Sequence, residues 1–314
     1  MQPCQHTLPT PYPVGPVHCY SVELGGELVL FDTGPPTAEA RYLLSAQVDL
    51  THLKHIIITH CHIDHYGLSR WLAEQTGATV YLPFRDGLKI DRHEERLDLV
   101  YELLLCNGFT PEFLDLFRVI MSDGSIFPPF PQNYRISEED LPAHLGIEIL
   151  SCPGHSQSDH VLLGDGWAVT GDILLEGIFQ TPFLDVDLLT GQRFRNYEAY
   201  CDSLPKLAGL HGRLILPGHR EGVASVGDCL LFYCSKLMER AAYLKQYPLS
   251  MNTVAVVETL VGDVNKSAFV SFMKAAEIIF LRDFLAEPER LCNALEECGL
   301  LTETVAEGLE RIRD

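Results

Sequence analysis

The chain has 314 residues, of which 43 are acidic and 23 basic, so its formal net charge at pH 7 is −20. This excess of negative charge argues against a broad nucleic-acid footprint, because phosphate binding depends on clustered Lys and Arg side chains. The composition, 46% hydrophobic and 21% charged, is that of a globular protein, and no apolar run is long enough to span a membrane.

The first residues of the chain and its cysteines indicate the cellular compartment in which we expect the protein. Residues 1–16 have neither the basic segment nor the apolar segment of a signal peptide. The 10 cysteines include no close Cys-x-x-Cys pair. We therefore expect reduced thiols and a cytoplasmic location.

The first part of the sequence predicts strands and helices in alternation. Residues 17–24 and 27–31 are two strand-like runs that Gly25-Gly26 joins as a hairpin. Thr37 is suited to be the N-cap of a helix over 37–47. The elements predicted next are a strand over 54–59, a helix from about 68 to 75 and a strand over 79–82.

Residues 84–146 interrupt this alternation. Apolar residues at helical spacing predict a helix over 91–107, and Thr110-Pro111 provides the N-cap and first residue of a second helix, which ends near residue 121. We interpret 84–146 as a helical insertion. Its hairpin, residues 91–123, is either a structural cover on the sheet or a lid that shapes the substrate pocket.

Three later strands are predicted, and each ends in a short turn that carries a possible metal ligand. The strand over 146–152 leads to His155, the strand over 166–170 to Asp172, and the strand over 213–216 to His219. A helix is predicted over 197–210, between the last two of these strands. Beyond residue 224 the strand patterns stop. The helices predicted beyond residue 224 cover 226–246, 252–261, 266–285, 288–298 and 302–313.

The densest group of possible ligands follows the strand over 54–59. The run Thr59-His60-Cys61-His62-Ile63-Asp64-His65 contains three histidines and one aspartate. Imidazole and carboxylate ligands together suit zinc, and also iron or manganese. The alternative is a His-rich surface turn, but several imidazoles in one turn are costly to pack without a function. Seven residues at successive strand ends are thus the predicted ligands: His60, His62, Asp64, His65, His155, Asp172 and His219.

This order of residues resembles that of the metallo-β-lactamase-fold hydrolases, whose signature H-x-H-x-D-H is followed by a His, a bridging Asp and a final His. The resemblance covers about residues 17–222 and extends to Leu30-Phe31-Asp32-Thr33-Gly34, which is similar to the family's early strand and turn. It implies an α/β fold, the αββα sandwich of two mixed sheets with helices outside. We expect a catalytic domain over 1–223, including the helical insertion at about 84–146, and an all-helical C-terminal subdomain over 224–314.

The resemblance also implies two divalent metal ions, for which zinc is favoured and iron or manganese are alternatives. A cysteine ligand of some true β-lactamases is missing, which disfavours antibiotic hydrolysis. Two such ions can share one water, lower its pKa and hold it as the attacking hydroxide. Asp64 is the candidate catalytic residue, and Asp32 and Thr59 are candidates to orient the imidazoles. The implied ligand groups are His60, His62 and His155 for the first ion, Asp64, His65 and His219 for the second, and Asp172 as the bridge.

The expected reaction is hydrolysis of a small-molecule thioester of the acyl-CoA or acyl-glutathione type, since the glyoxalase II branch has a similar layout. Residues 173–177 depart from that branch because they lack its Cys-Gly-Arg, which favours a thioester other than one of glutathione. One alternative is a lactonase or other ester hydrolase with an apolar pocket lined by residues such as Phe127, Phe179 and Phe183. Another is a metal-dependent nuclease with a winged-helix-like tail, which the net charge disfavours. His93, His144 and His211 are expected to be dispensable for hydrolysis.

Overall fold

The computed structural model describes residues 1–122 and 129–313. Its first sheet has six strands in sequence order. The first three pair antiparallel as a meander, and the last four pair in parallel. Parallel strands end at the same sheet edge, so the residues that follow the third and fourth strands lie side by side. The strands are β1 Cys4–Leu8, β2 Val17–Leu24, β3 Glu27–Phe31, β4 Leu53–Ile57, β5 Thr79–Leu82 and β6 Tyr134–Ile136.

The second sheet has four strands in the order β12-β9-β8-β7. Here β7, β9 and β12 run in one direction, because β8 is antiparallel to both β7 and β9 while β12 is parallel to β9. The turns after these three strands therefore share one edge. The strands are β7 Glu148–Ser151, β8 His160–Gly164, β9 Trp167–Gly171 and β12 Leu214–Pro217; a separate two-stranded ribbon pairs β10 Val186–Asp187 with β11 Gln192–Arg193.

An apolar layer joins the two sheets. It includes Phe31 and Ile57 from the first sheet and Trp167 from the second, and the Phe31 and Trp167 rings lie 5.5 Å apart. At one edge the sheets also meet through the backbone, where the His18 amide donates to the Gly218 carbonyl at 2.7 Å. This edge carries the turns that hold the predicted ligands, so the packing of the two sheets determines how those ligands meet.

Helices cover the outer faces of both sheets, which confirms the predicted αββα arrangement. Helices α1 and α3 bury Ala40, Leu44 and Leu72 against the first sheet, and α1 begins at the predicted cap, where Thr37 Oγ1 accepts from the Ala40 amide at 3.1 Å. Helix α8 covers the second sheet. The helices up to this point are α1 Ala38–Gln47, α2 Ile63–Tyr66, α3 Ser69–Thr76, α4 Phe84–Asp91, α5 His93–Cys106, α6 Pro111–Ser122, α7 Ser137–Asp140 and α8 Asn196–Ala208.

The described part of the predicted insertion, 84–146, is mostly helical, but its first helix begins earlier than the pattern indicates and it also contains strand β6 of the first sheet. The sequence predicts one helix over 91–107, whereas the chain forms α4, breaks at Arg92 and then forms α5. Phe117 of helix α6 stacks on Phe272, and the centroids of the two rings lie 4.8 Å apart. The hairpin thus packs as a cover over other helices. Its role as a lid stays a prediction. Deletion of the hairpin would also expose the apolar residues that pack against it, so it would not test substrate preference alone.

Over the described residues 224–313, the C-terminal part consists of helices joined by turns and contains no strand. Its helices share one apolar core with α5, α6, α8 and the outer face of the second sheet. The boundary between residues 223 and 224 stays a prediction. Across the described segments, every helix is too short or too polar to cross a membrane. The helices are α9 Val226–Leu244, α10 Thr253–Val261, α11 Ala268–Ala286, α12 Pro288–Glu297 and α13 Glu303–Arg313.

Candidate metal centre

The first ligand group is formed by three imidazoles. His60 and His62 follow β4, and His155 follows β7 on the facing sheet. The Nδ1 atom of His62 lies 3.0 Å from His60 Nε2 and 3.0 Å from His155 Nε2. Burial lowers the pKa of His62 to about 3 and the pKa of His60 well below its ordinary value. These rings are therefore neutral at pH 7, the form in which imidazole binds a metal ion.

The second group adds a carboxylate. Asp64 and His65 lie in α2, and His219 follows β12. His219 Nε2 is 3.3 Å from Asp64 Oδ2, and His65 Nε2 is 4.0 Å from Asp64 Oδ1. The three ligand atoms lie within 4.8 Å of one another, as do those of the first group. The structure thus brings together both predicted groups.

Asp172 lies between the two groups. Its Oδ1 is 3.3 Å from His65 Nε2, and its Oδ2 is 3.6 Å from His219 Nε2 and 3.8 Å from His155 Nε2. Burial would raise the pKa of Asp172, but the neighbouring His65 and His219 outweigh it and hold that pKa well below its ordinary value. A carboxylate that approaches both groups is placed to bridge two cations.

The centre fits cations because three buried polar atoms in it have no hydrogen-bond partner. They are His65 Nε2, His219 Nε2 and Asp172 Oδ1, whose contacts of 3.3 Å or more with neighbouring ligands do not have hydrogen-bond geometry. His155 Nδ1, on the far side of its ring from His62, is also without a partner. A buried polar atom without a partner costs about 1–3 kcal/mol. Three such atoms at one point indicate that a further group satisfies them, and imidazole nitrogen with carboxylate oxygen is a donor set for zinc or iron.

The second nitrogen of each of three imidazoles has its own partner. His65 Nδ1 lies 2.8 Å from Asp32 Oδ2, and His219 Nδ1 lies 2.7 Å from the Pro16 carbonyl, so both Nδ1 atoms donate. His60 Nδ1 contacts Thr59 Oγ1 at 3.1 Å. These contacts leave each Nε2 free to face the centre, which is how a protein orients histidine ligands.

Asp32 organises this part of the site. Besides His65, it accepts from the Thr59 amide at 2.8 Å and from Thr59 Oγ1 at 2.9 Å. Its backbone has a φ of 55°, in the left-handed region, which Asp adopts more readily than most residues. Asp32 thereby joins the end of β3 to the ligand run after β4, in the orienting role expected for it from the sequence.

A buried ionic network behind the ligand run was not predicted. Asp86 in α4 accepts from the Cys61 amide at 2.8 Å and from Ser158 Oγ at 2.6 Å, and it pairs with Lys89 at 2.9 Å. Lys89 also pairs with Asp185, at 3.3 Å. The network holds the Cys61 backbone between His60 and His62. In the sequence, Asp86 and Lys89 have the spacing of an exposed helical ion pair, so no local signal marks them as buried.

Removing Asp86 is expected to destabilise the fold. Asp86→Ala should lower the free energy of unfolding by about 3–5 kcal/mol, because it leaves part of a buried ion pair uncompensated. Urea denaturation followed by circular dichroism measures this loss. The matched control is Asp98→Ala, which removes an exposed ion pair with Arg118 and should cost at most about 1 kcal/mol. Equal losses in the two variants would contradict a structural role for the network.

Comparison with known proteins shows the family to which the chain belongs. A family model described as the metallo-beta-lactamase superfamily matches residues 12–219, which include all seven predicted ligands. The chain belongs to the metallo-beta-lactamase superfamily. Members of this superfamily share the sandwich described above, and the fold of this chain is that fold.

Two curated relatives and one solved structure are similar to this superfamily member. The probable metallo-hydrolase YqjP of Bacillus subtilis (strain 168) is 28% identical over 236 residues, which cover 70% of this chain and 72% of the relative. The metallo-beta-lactamase fold-containing protein ST1585 of Sulfurisphaera tokodaii is 28% identical over 235 residues, which cover 68% of this chain and 81% of the relative. The family protein TTHA1429 from Thermus thermophilus superposes with a TM-score of 0.71 at 24% identity over 91% of this chain and 94% of its own, which shows the shared fold.

Proposed function

We propose that this superfamily member is a dinuclear metal hydrolase, with zinc as the favoured metal, that cleaves small-molecule thioesters of the acyl-CoA type. The observation that supports hydrolysis is the convergence of two ligand groups on one bridging carboxylate, Asp172. The resemblance of this chain to a probable metallo-hydrolase supports the same reaction class.

The residues of the centre would have two roles, which are to bind the metal ions and to accept a proton from the water. When bound, the two ions would supply a water of lowered pKa and a Lewis acid for the substrate carbonyl. Burial would raise the pKa of Asp64, but the nearby imidazoles of His219 and His65 outweigh it and hold that pKa below its ordinary value. Asp64 is therefore a carboxylate at pH 7, able to orient a water and accept its proton.

The ionisation state of Asp64 favours one type of leaving group over another. Because this carboxylate accepts a proton rather than supplying one at pH 7, a substrate whose leaving group departs as an anion is favoured. A thiol has a pKa of about 8.5, so a thiolate departs without prior protonation, whereas an amine does not. This reasoning favours thioesters over amides. The missing signature of glutathione recognition at residues 173–177 then favours a thioester other than one of glutathione.

An aromatic side chain provides an apolar wall beside the first ligand group. The ring of Phe183 lies 5.0 Å from that of His62, and its backbone amide donates to the His155 carbonyl at 2.7 Å. The acyl chain of a thioester can pack on this ring. Phe179, which the sequence suggests for the same wall, instead stacks on Tyr233 at 4.6 Å in the core of the C-terminal helices. Phe127 lies outside the described residues.

Truncation of this wall should weaken the use of long acyl chains. Phe183→Ala is expected to lower kcat/KM for a long-chain acyl-CoA by about 10–100-fold, the effect of losing about 1.5–3 kcal/mol of apolar contact. The same change should alter acetyl-CoA hydrolysis much less, because the acetyl group is too short to cover the ring. The control is Phe183→Leu, which retains an apolar wall and should keep most of the activity toward the long chain.

A panel of substrates tests the thioester assignment itself. Acyl-CoA, lactoyl-glutathione, a homoserine lactone and bis-p-nitrophenyl phosphate are compared with the metal-loaded protein, and acyl-CoA is expected to be cleaved fastest. Preferential cleavage of the lactone would replace the proposal with the ester-hydrolase alternative, since Phe183 could equally contact the acyl chain of a lactone. Cleavage of the phosphodiester alone would overturn it in favour of a nuclease, although residues 224–313 lack the strands of a winged-helix tail.

A further inference from the structure

A second cluster of possible ligands lies away from the metal centre. Glu27 is the first residue of β3, His55 lies in the middle of β4, and His144 lies in the 3₁₀ turn Ala143–Leu145 that precedes β7. Since β3 and β4 reach the metal centre at their carboxyl ends, Glu27 marks the opposite end of the sandwich. Ligand atoms of the three side chains lie within 4.8 Å of one another.

We propose that Glu27, His55 and His144 bind a third divalent ion of the zinc type, which links the two sheets at the end remote from the metal centre. One carboxylate oxygen already contacts both imidazoles. Glu27 Oε2 is 2.9 Å from His55 Nε2 and 2.6 Å from His144 Nε2. An ion bound by these three atoms would connect the first sheet to the segment that enters the second.

The chemistry of the three ligands favours zinc over calcium or magnesium. Two imidazole nitrogens and one carboxylate oxygen form a known zinc ligand set, whereas the other two ions prefer oxygen alone. The His144 side chain is 54% exposed and that of Glu27 36% exposed, so solvent reaches the cluster. Water can therefore complete a tetrahedral site, and the ion can enter without opening the fold.

His55 is already held in an orientation suited to a ligand. Its side chain is only 10% exposed, and its Nδ1 lies 3.2 Å from the Tyr81 hydroxyl. With an ion bound in place of the hydrogen bond to Glu27, Nδ1 would carry the proton and donate it to that hydroxyl, and the Nε2 lone pair would face the ion, as in other histidine ligands. Hydrogen bonds with His55 and His144 lower the pKa of Glu27, so the carboxylate is ionised at pH 7.

The hairpin turn between β2 and β3 is shaped to admit His144. Gly25 has a φ of +57°, and a Cβ at this position would lie 2.7 Å from His144 Cδ2 and 2.8 Å from its carbonyl oxygen. Only glycine therefore allows the close approach that carries the imidazole to Glu27. This contact packs the turn that carries His144 against the hairpin and so holds the imidazole close to Glu27.

Counting metal ions in matched variants tests the third site. Wild-type protein and His144→Gln are stripped with chelator, titrated with Zn²⁺, and their bound metal is measured after gel filtration. We expect wild type to bind one more ion per chain than His144→Gln. The control is His52→Gln, which removes an exposed imidazole that contacts Asp49 and Thr51, and this variant should bind as many ions as wild type. The test compares the number of bound ions between variants. Its result therefore does not depend on how many ions the metal centre binds or on which reaction it catalyses.

Thermal unfolding gives a second readout that separates a bound ion from hydrogen bonds alone. Added Zn²⁺ should raise the melting temperature of wild type by more than that of His144→Gln or of Glu27→Gln, since an ion that binds only the folded state stabilises it. Hydrolytic activity should be equal in wild type and His144→Gln when both are saturated with metal. Equal numbers of bound ions in wild type and both variants would overturn the proposal and leave the cluster as a hydrogen-bonded clamp.

Discussion

Asp64→Ala is expected to lower kcat/KM for hydrolysis by at least about a thousandfold, because it removes both a ligand of the second group and the acceptor of the water proton. The protein should stay folded, because the side-chain contacts of Asp64 are with His65 and His219 inside the centre and not with the apolar cores. Steady-state kinetics with an acyl-CoA and circular dichroism measure the two effects. His155→Ala should give the same loss by removing a ligand of the first group.

Two controls make this result specific. Asp98→Ala removes an aspartate of the same size from an exposed ion pair on α5 and should leave kcat/KM unchanged. Addition of excess metal should not restore Asp64→Ala, because the proton acceptor is still missing. Hydrolysis at the wild-type rate in either Asp64→Ala or His155→Ala would show that the reaction does not take place at this centre.

Asp32→Ala is expected to weaken metal binding by about 10–100-fold, which is typical when the partner of a histidine ligand is lost. The change leaves His65 Nδ1 without its acceptor and removes the two contacts that fix Thr59. Competition with a chromophoric chelator measures the affinity. Because the ligands themselves remain, activity lost at limiting metal should return when metal is in excess.

Asp32→Asn separates this orienting role from a backbone effect. Asparagine also tolerates the left-handed backbone at residue 32 and keeps one oxygen acceptor, so this variant should fold normally and lose less affinity than Asp32→Ala. If Asp32→Ala binds metal as tightly as wild type, then His65 is oriented by other contacts. A loss of activity that excess metal fails to restore would indicate damage to the fold instead.

The candidate centre could be predicted from sequence because its signals are local. Each ligand follows an apolar strand within a few residues, and His60, His62, Asp64 and His65 lie within six consecutive residues. The sandwich then followed from resemblance, and the family match confirms it. Geometry adds what spacing alone does not specify, namely that Asp172 approaches both ligand groups and that Asp32 holds His65.

The parts that were missed depend on contacts between distant residues. Strand β1 is a short polar run whose only strand signal is its pairing with β2, and α4 contains a glycine and charged residues that are typical of a loop. Lys89 is buried because Asp86 and Asp185 surround it in the folded chain, not because of its neighbours in sequence. The contact of His144 with Glu27 was not predicted for the same reason, since the two residues are 117 positions apart along the chain.

The insertion and the C-terminal helices were predicted as separate parts, yet they share a core. The Val254 amide donates to the Asn107 carbonyl at 3.1 Å, and Phe117 packs on Phe272. Periodicity indicates which face of each helix is apolar but not which helix it meets. The position of these helices over Phe183, whose ring lies 5.2 Å from that of Phe272, makes them the region from which acyl-chain selectivity is expected to arise.

Activity measured against the number of bound metal ions tests the central claim most directly. Metal-free His144→Gln protein, in which the proposed third site is disabled, is titrated with Zn²⁺ while hydrolysis of an acyl-CoA and bound metal are followed together. We predict that activity rises with bound metal and becomes constant at about two ions per chain. Hydrolysis by the fully metal-free protein, or an absence of metal binding at the seven-residue centre, would contradict the account.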